Sequence, residues 1–194
     1  MLHFLDQFNA VIGVLLFSAY LYQVFYTLYG LAFCRRDRRK AARQTPAKPS
    51  RRYAALICAR NEESVIGELI SSLRAQDYPA ELLDIYVLAD NSTDATARVA
   101  RQAGAIAFER FNPYQVGKGY ALNELFSRIR SRRPLSDYDA FLVFDADNIV
   151  DSHFVSAMDR TFAQGYDVLT SYRNSKNFAS SWVSAGYSIW FLRE

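Results

Sequence analysis

The clearest chemistry in this sequence lies at Asp145-Ala146-Asp147. The run Phe141-Leu142-Val143-Phe144 reads as a strand that ends in one carboxylate, with a second carboxylate two residues on. Paired hard oxygen ligands suit Mg or Mn, ions that commonly hold substrate phosphates as well. A metal there would bridge a diphosphate and stabilise it as a leaving group. The alternative is an Asx-type turn with solvated aspartates. Two more polar sets follow apolar runs: Arg60-Asn61-Glu62 after Ala54 to Ala59, and Asp90-Asn91-Ser92-Thr93-Asp94 after Leu83 to Ala89. Ser92, Thr93 or Asp94 also suits a helix cap, which does not exclude a ligand at Asp90. Lys118, between Gly117 and Gly119, is a cation on a flexible approach.

These residues need elements to carry them. Ala54–Ala59, Leu83–Ala89, Ala105–Glu109, Tyr138–Phe144 and Val168–Tyr172 read as five strands. Helical periods run through Glu63–Ala75, Thr93–Ala103, Lys118–Arg130 and Ser152–Ala163, and another begins at Trp182. Alternating strands and helices imply an α/β fold with a mainly parallel sheet covered on both faces. Such sheets bind ligands beyond the carboxyl ends of their strands, which is where all three polar sets fall. Three acidic sets on one edge repel one another, so cations or hydrogen-bond donors are expected among them.

Several classes are excluded. No Walker A spacing surrounds Lys118 and no GxGxxG follows the first strand. Cys34 and Cys58 give neither zinc spacing nor a disulfide framework. His3 and His153 are the only histidines, and neither sits in a ligand-like cluster. Of the 23 basic residues, nine lie between Arg35 and Arg52, opposed only by Asp37. The rest of the chain holds 14 basic and 19 acidic residues, so a folded nucleic-acid binder is disfavoured.

Phe8 to Phe33 is nearly uncharged and long enough, as a helix, to cross a bilayer core of about 30 Å. A cleaved signal peptide would want basic residues before the apolar run, and residues 1–7 contain no Lys or Arg. Here the basic cluster follows the run, which predicts an N-terminus outside and a cytoplasmic remainder. The expected organisation is a transmembrane anchor over 1–34, a basic linker over 35–52 and a folded domain over 53–194. The basic linker can also meet membrane lipid.

Four segments in order, ICARNEE (57–63), VLADNSTDAT (87–96), VGKGYALN (116–123) and FDADNIVD (144–151), closely resemble the family 2 glycosyltransferases, the group of cellulose, hyaluronan and poly-N-acetylglucosamine synthases. The resemblance covers about residues 53–194 and implies a GT-A fold. It further implies an inverting enzyme of the plasma or inner membrane that transfers a sugar from a nucleotide-sugar, by family preference a UDP-sugar, to a polysaccharide or glycolipid acceptor. Ala59, Arg60, Asn61 and Glu62 then correspond to the first nucleotide loop, Asp90 to the uracil-contacting aspartate, and Lys118 to the lysine near the phosphates. Asp145 and Asp147 correspond to the DxD motif that holds Mn2+ or Mg2+. Arg173 is a further donor or acceptor contact. Where the family often has two aspartates, Ala89 replaces the first. The family's general base lies in a later segment and is expected beyond Glu194, so this chain alone is expected to bind donor and transfer little. A non-catalytic nucleotide-sugar-binding module is the competing reading.

Overall fold

A computed structural model describes residues 2–42, 50–171 and 181–185 of the chain. The chain divides into two units, Met1–Ala47 and Lys48–Glu194. In the first, one helix, α1, runs from Leu2 to Ala42. Its stretch Leu5–Phe33 is long and apolar enough to cross a membrane. Apolar side chains are exposed all round it, Phe17 and Phe25 among them, as a helix meant for lipid rather than a one-sided core requires. The polar Thr27 is accommodated by its hydroxyl, which donates to the Gln23 carbonyl at 2.8 Å. The helix outlasts the expected apolar run because Arg, Lys and Ala, which follow it, are strong helix formers.

The second unit is built on four parallel strands in the order β3-β2-β1-β4. They are β1 (Tyr53–Ala59), β2 (Leu83–Asp90), β3 (Ile106–Arg110) and β4 (Ala140–Asp145). β1 lies between neighbours and under helices on both faces, so nearly every residue is apolar and buried. Alternate residues serve opposite faces. Ala55, Ile57 and Ala59 pack with Ile66, Leu69, Ile70 and Leu73 of α2 (Ile66–Arg74), Ala100 of α3 (Thr96–Gln102) and Val155 of α5 (Phe154–Phe162). Ala54, Leu56 and Leu88 meet Ala121, Leu125 and Ile129 of α4 (Lys118–Arg130) on the other face. Leu125 is fully buried, which stabilises the α4 contact by about 2–3 kcal/mol.

The α/β class and the mainly parallel sheet expected from the sequence are both present. Three helices start later than their periodicity suggests, α5 by two residues. Residues before α2 close a turn instead, with Val65 and Ile66 N–H groups donating to the Glu62 carbonyl. α3 starts at Thr96 because Asp94 ties the preceding loop. The expected fifth strand is absent from Val168–Ser171, where Val168 is 88% exposed. A short apolar run becomes a strand only where a sheet edge pairs with it. Residues 182–185 form one helical turn.

Candidate functional site

The loops after β1 and β2 are joined into one piece. Asn61, at φ 55°, turns the chain out of β1 in a left-handed conformation that asparagine tolerates better than most residues. Its side-chain oxygen accepts the Thr93 N–H at 2.8 Å, and its own N–H donates to the Ser92 hydroxyl at 3.2 Å. Glu62 N–H donates to the Thr96 hydroxyl at 2.8 Å. Glu63 ties to both Asp94 and Ala95: its N–H reaches the Asp94 carboxylate at 3.1 Å, while its own carboxylate accepts the Ala95 N–H at 2.8 Å. Bonds from the Thr96 hydroxyl and N–H hold the Asp94 carboxyl below its ordinary range. Ala59 is buried, Glu62 half-buried and Arg60 exposed at the rim.

β2 ends in Asp90, in register with Arg110 at the end of β3. Their side chains form an ion pair at 2.6 Å, and both residues are only 7% exposed. A second Arg110 nitrogen donates to the Gln115 carbonyl at 3.0 Å. Asn91, also left-handed at φ 53°, clasps Asn112: its oxygen accepts the Asn112 N–H at 2.7 Å and its amide donates to the Asn112 carbonyl at 3.2 Å. The side chain thus continues the β2–β3 ladder past its end. Arg110 was not singled out in the sequence, and Asn91 was noted only within the polar set that follows β2. The available signal was a lone arginine closing an apolar strand, IAFER, opposite an aspartate closing the next.

Lys118 opens α4 directly after Gly117, whose φ of 131° only glycine adopts comfortably. Its ammonium pairs with the Asp145 carboxylate at the end of β4, and both side chains are about half exposed. Arg110 and Lys118 are therefore the cations that the acidic edge requires. Asp145 to Asn148 closes a turn through a 3.1 Å bond from Asn148 N–H to the Asp145 carbonyl. Ala146 is buried within it and Asp147 is exposed. The segment that follows is pinned to α2. Ser72 Oγ accepts the Val150 N–H at 3.1 Å, Gln76 Nε2 donates to the Asp151 carbonyl at 2.7 Å, and Gln76 Oε1 accepts the Val155 N–H at 2.9 Å. The turn carrying both aspartates is therefore held from behind by buried amides.

Cys58 pairs with Asp145 in register and lies in the fields of Lys118 and Asp90. Burial pushes its thiol up to about 11, so it is a small packing residue and not a nucleophile. His153 is exposed at the start of α5, 3.4 Å from Asp77, away from the other polar groups. Arg173 lies outside the described residues. Among the described residues no cluster of three or more His, Cys, Asp or Glu side chains forms. Asp145 and Asp147, two hard oxygen groups, stand at this open edge, with Asp145 paired to Lys118. That chemistry fits Mg or Mn, which take few protein carboxylates and complete their shells with phosphate and water.

A family model described as "Glycosyltransferase like family 2" matches residues 49–193. Beta-monoglucosyldiacylglycerol synthase of Nostoc sp. is 31% identical over 151 residues, which is 72% of this chain and 31% of that protein. The 4,4'-diaponeurosporenoate glycosyltransferase of Staphylococcus aureus is 52% identical over 50 residues, 26% of this chain and 12% of that protein. Among solved structures, a TarS fragment of S. aureus matches with a TM-score of 0.47 at 18% identity, over 62% of this chain and 39% of that one. The chain spans 31% of the length of its first curated relative.

Proposed function

This chain belongs to glycosyltransferase-like family 2, and on that premise we propose that it carries the donor half of a membrane-anchored, inverting glycosyltransferase. The donor is a nucleotide-sugar, with UDP as the nucleotide, and the acceptor is a glycolipid or a polysaccharide. One observation carries the reading: Asp90, Lys118 and Asp145 come from distant sequence segments and meet at the carboxyl edge of one parallel sheet. Edges of this kind bind ligands. The curated relatives named above are, by their names, a synthase of a glucosyl lipid and a glycosyltransferase of a diaponeurosporenoate, and this favours a lipid acceptor over a polysaccharide.

The residues take the following parts. Asp90, fixed by Arg110, accepts an N–H of the base. The Ala59–Glu62 loop borders the base and ribose. Arg60 and Glu62 are available there, whereas the Asn61 oxygen is used to shape the loop. Lys118 and the N–H groups opening α4 face the diphosphate, since a helix N-terminus favours anions. Asp145 and Asp147 would hold a divalent cation, which when bound supplies charge stabilisation of the departing diphosphate. Lys118, already paired with Asp145, sits where that negative charge grows. The base that deprotonates the acceptor hydroxyl is assigned to none of these side chains. α1 anchors the chain in the membrane with its N-terminus outside and the folded unit in the cytoplasm, where nucleotide-sugars are made.

Calorimetry of UDP with the detergent-solubilised chain tests the donor site. Binding should require Mn2+ or Mg2+ and should weaken at least tenfold, about 1.4 kcal/mol, in the Asp145→Asn and Asp147→Asn variants. Metal-independent binding that both variants retain would sink the assignment of these aspartates. A folded chain that binds neither UDP nor GDP under any condition would sink the donor reading.

A further inference from the structure

The strongest charge feature outside the donor site lies at the opposite end of the sheet. Arg128, Arg130, Arg132 and Arg133 fall within six residues, at the end of α4 and in the turn after it. The helix dipole favours cations in the last turn of α4, but Arg132 and Arg133 lie beyond it. Contacts join this cluster to Arg52. The Arg133 guanidinium sits over the Tyr138 ring at 6.0 Å, Tyr138 donates to the Asp84 carboxylate at 2.7 Å, and Arg52 donates to the same carboxylate at 3.3 Å. Arg52 and the cluster thus lie at the same end of the sheet, beside the start of β1, with Asp84 between them.

The charge there is only partly answered. Glu124 takes Arg128 at 2.7 Å, Asp137 stands 3.9 Å from Arg133, Asp84 takes the Arg52 guanidinium, and the exposed Asp139 carboxylate accepts the Arg52 N–H at 2.8 Å. Arg130 and Arg132 have no carboxylate partner among the described residues. Arg132 instead lies over the Phe108 ring at 5.9 Å, which orients the guanidinium while leaving its charge unneutralised. This is a positive island on a chain that, outside Arg35–Arg52, carries an acidic excess of 14 basic against 19 acidic residues.

We propose that this surface, Arg52 with Arg128, Arg130, Arg132 and Arg133, docks on the anionic phospholipid headgroups of the bilayer that holds α1. The proposal rests on the reading of α1 as an anchor. Chain continuity selects this occupant. The folded unit is entered at this end, at Arg51 and Arg52, and only seven residues separate Ala42 from Ser50, a reach of at most about 30 Å. The last turns of α1 already carry Arg35, Arg36, Arg38, Arg39 and Lys40, so both basic sets belong to the same side of the membrane. Each basic residue close to an anionic surface strengthens attachment about fivefold, and the attraction fades within roughly 8 Å. Only a face held against the headgroups therefore gains. Docking by this face leaves the donor edge a strand length away, about 23 Å, open to a soluble nucleotide-sugar.

The test is hydrogen exchange of segment 128–133 in the full chain, one copy per nanodisc, in phosphatidylcholine with or without phosphatidylglycerol. Exchange should slow roughly threefold or more only with phosphatidylglycerol. The slowing should vanish in an Arg130→Ser/Arg132→Ser variant and in about 0.5 M salt. Unchanged exchange, slowing in phosphatidylcholine alone, or slowing that survives the double variant would each overturn the docking. Equal slowing by inorganic phosphate with phosphatidylcholine nanodiscs would assign the surface to a free anion and overturn it too. Flotation with phosphatidylcholine vesicles after an alkaline wash tests α1 separately. A chain that does not float loses both anchor and docking, while one that floats without lipid-dependent protection loses the docking alone.

Discussion

The two ends of the parallel sheet use the same residue types to opposite effect. At the amino end, aspartates are consumed by neighbours. Asp159 accepts from the Tyr53 hydroxyl at 2.7 Å and from Arg51 at 3.1 Å. Asp84 accepts from Tyr138 and Arg52, and Tyr138 is bonded in turn to Tyr86 at 2.8 Å. At the carboxyl end, Asp145 and Lys118 are half exposed and Asp147 fully so. Burial and closure turn charged groups into structural joints, and exposure at strand ends leaves them available to a ligand. The Asp90–Arg110 pair crosses this division, because it sits at the open end and is buried as deeply as Asp159 at the closed one.

That pair gives the largest expected effect. Arg110→Met leaves the Asp90 carboxylate buried without its partner and should cost about 3–5 kcal/mol in urea unfolding. Replacing both, as Asp90→Leu with Arg110→Met, should recover most of that stability, since an apolar pair of similar volume is close to neutral. UDP binding should stay lost in the double variant. A single variant that costs under about 1 kcal/mol, or a double variant that still binds UDP, would show that the pair belongs wholly to one side of the comparison.

Next comes the closed end itself. Asp159→Ala strands the buried Tyr53 hydroxyl and frees Arg51, so unfolding in urea should be easier by about 2–3 kcal/mol, with UDP affinity of the folded chain unchanged. Asp159→Asn keeps an acceptor and should cost less. A larger change in UDP affinity than in stability would break the division between the ends.

Lys118→Met should do the reverse. An exposed ion pair adds little to stability, so the loss should stay within about 0.5 kcal/mol. UDP affinity should fall roughly tenfold, because a cation facing the diphosphate is gone. Equal binding by the variant would place the phosphates elsewhere.

What was legible in the sequence follows the same split. β1 announced itself because burial on both faces demands an unbroken apolar run, and α4 was read to the residue because Gly117 marks its start and the apolar period carries through to Ile129. The open end was legible because its polar residues cluster directly after strands. The closed end was not, since its bonds join residues 106 apart in Tyr53–Asp159 and 52 apart in Tyr86–Tyr138, with no local pattern to mark them. The short 3-10 turns Ala80–Leu82 and Leu135–Asp137 were also passed over, although each follows a proline and leads into the next strand. Val168–Tyr172 has strand-like composition, but strand formation depends on a pairing edge, which composition does not report.

The smallest effect separates the ends by pH. Burial, followed by bonds with Tyr86 and Asp84, holds the Tyr138 hydroxyl well above its ordinary 10.0, and burial does the same for Tyr53. The folded state therefore keeps protons that the unfolded state releases above pH 10.0. Stability should begin to fall above pH 9.0, where the half-buried Cys58 thiol keeps its proton, and fall more steeply above 10.0 as the tyrosines join, by up to about 1.4 kcal/mol per pH unit for each group. Tyr138→Phe removes one of three tyrosine contributions, since burial also pushes the Tyr78 hydroxyl up to about 12, so the alkaline slope in urea unfolding should ease by roughly a quarter to a third, at a cost near neutrality of about 1 kcal/mol for the lost bonds. An unchanged slope in Tyr138→Phe would mean that the closed end opens before its tyrosines titrate, and the contrast between the two ends would then be one of rigidity only at neutral pH.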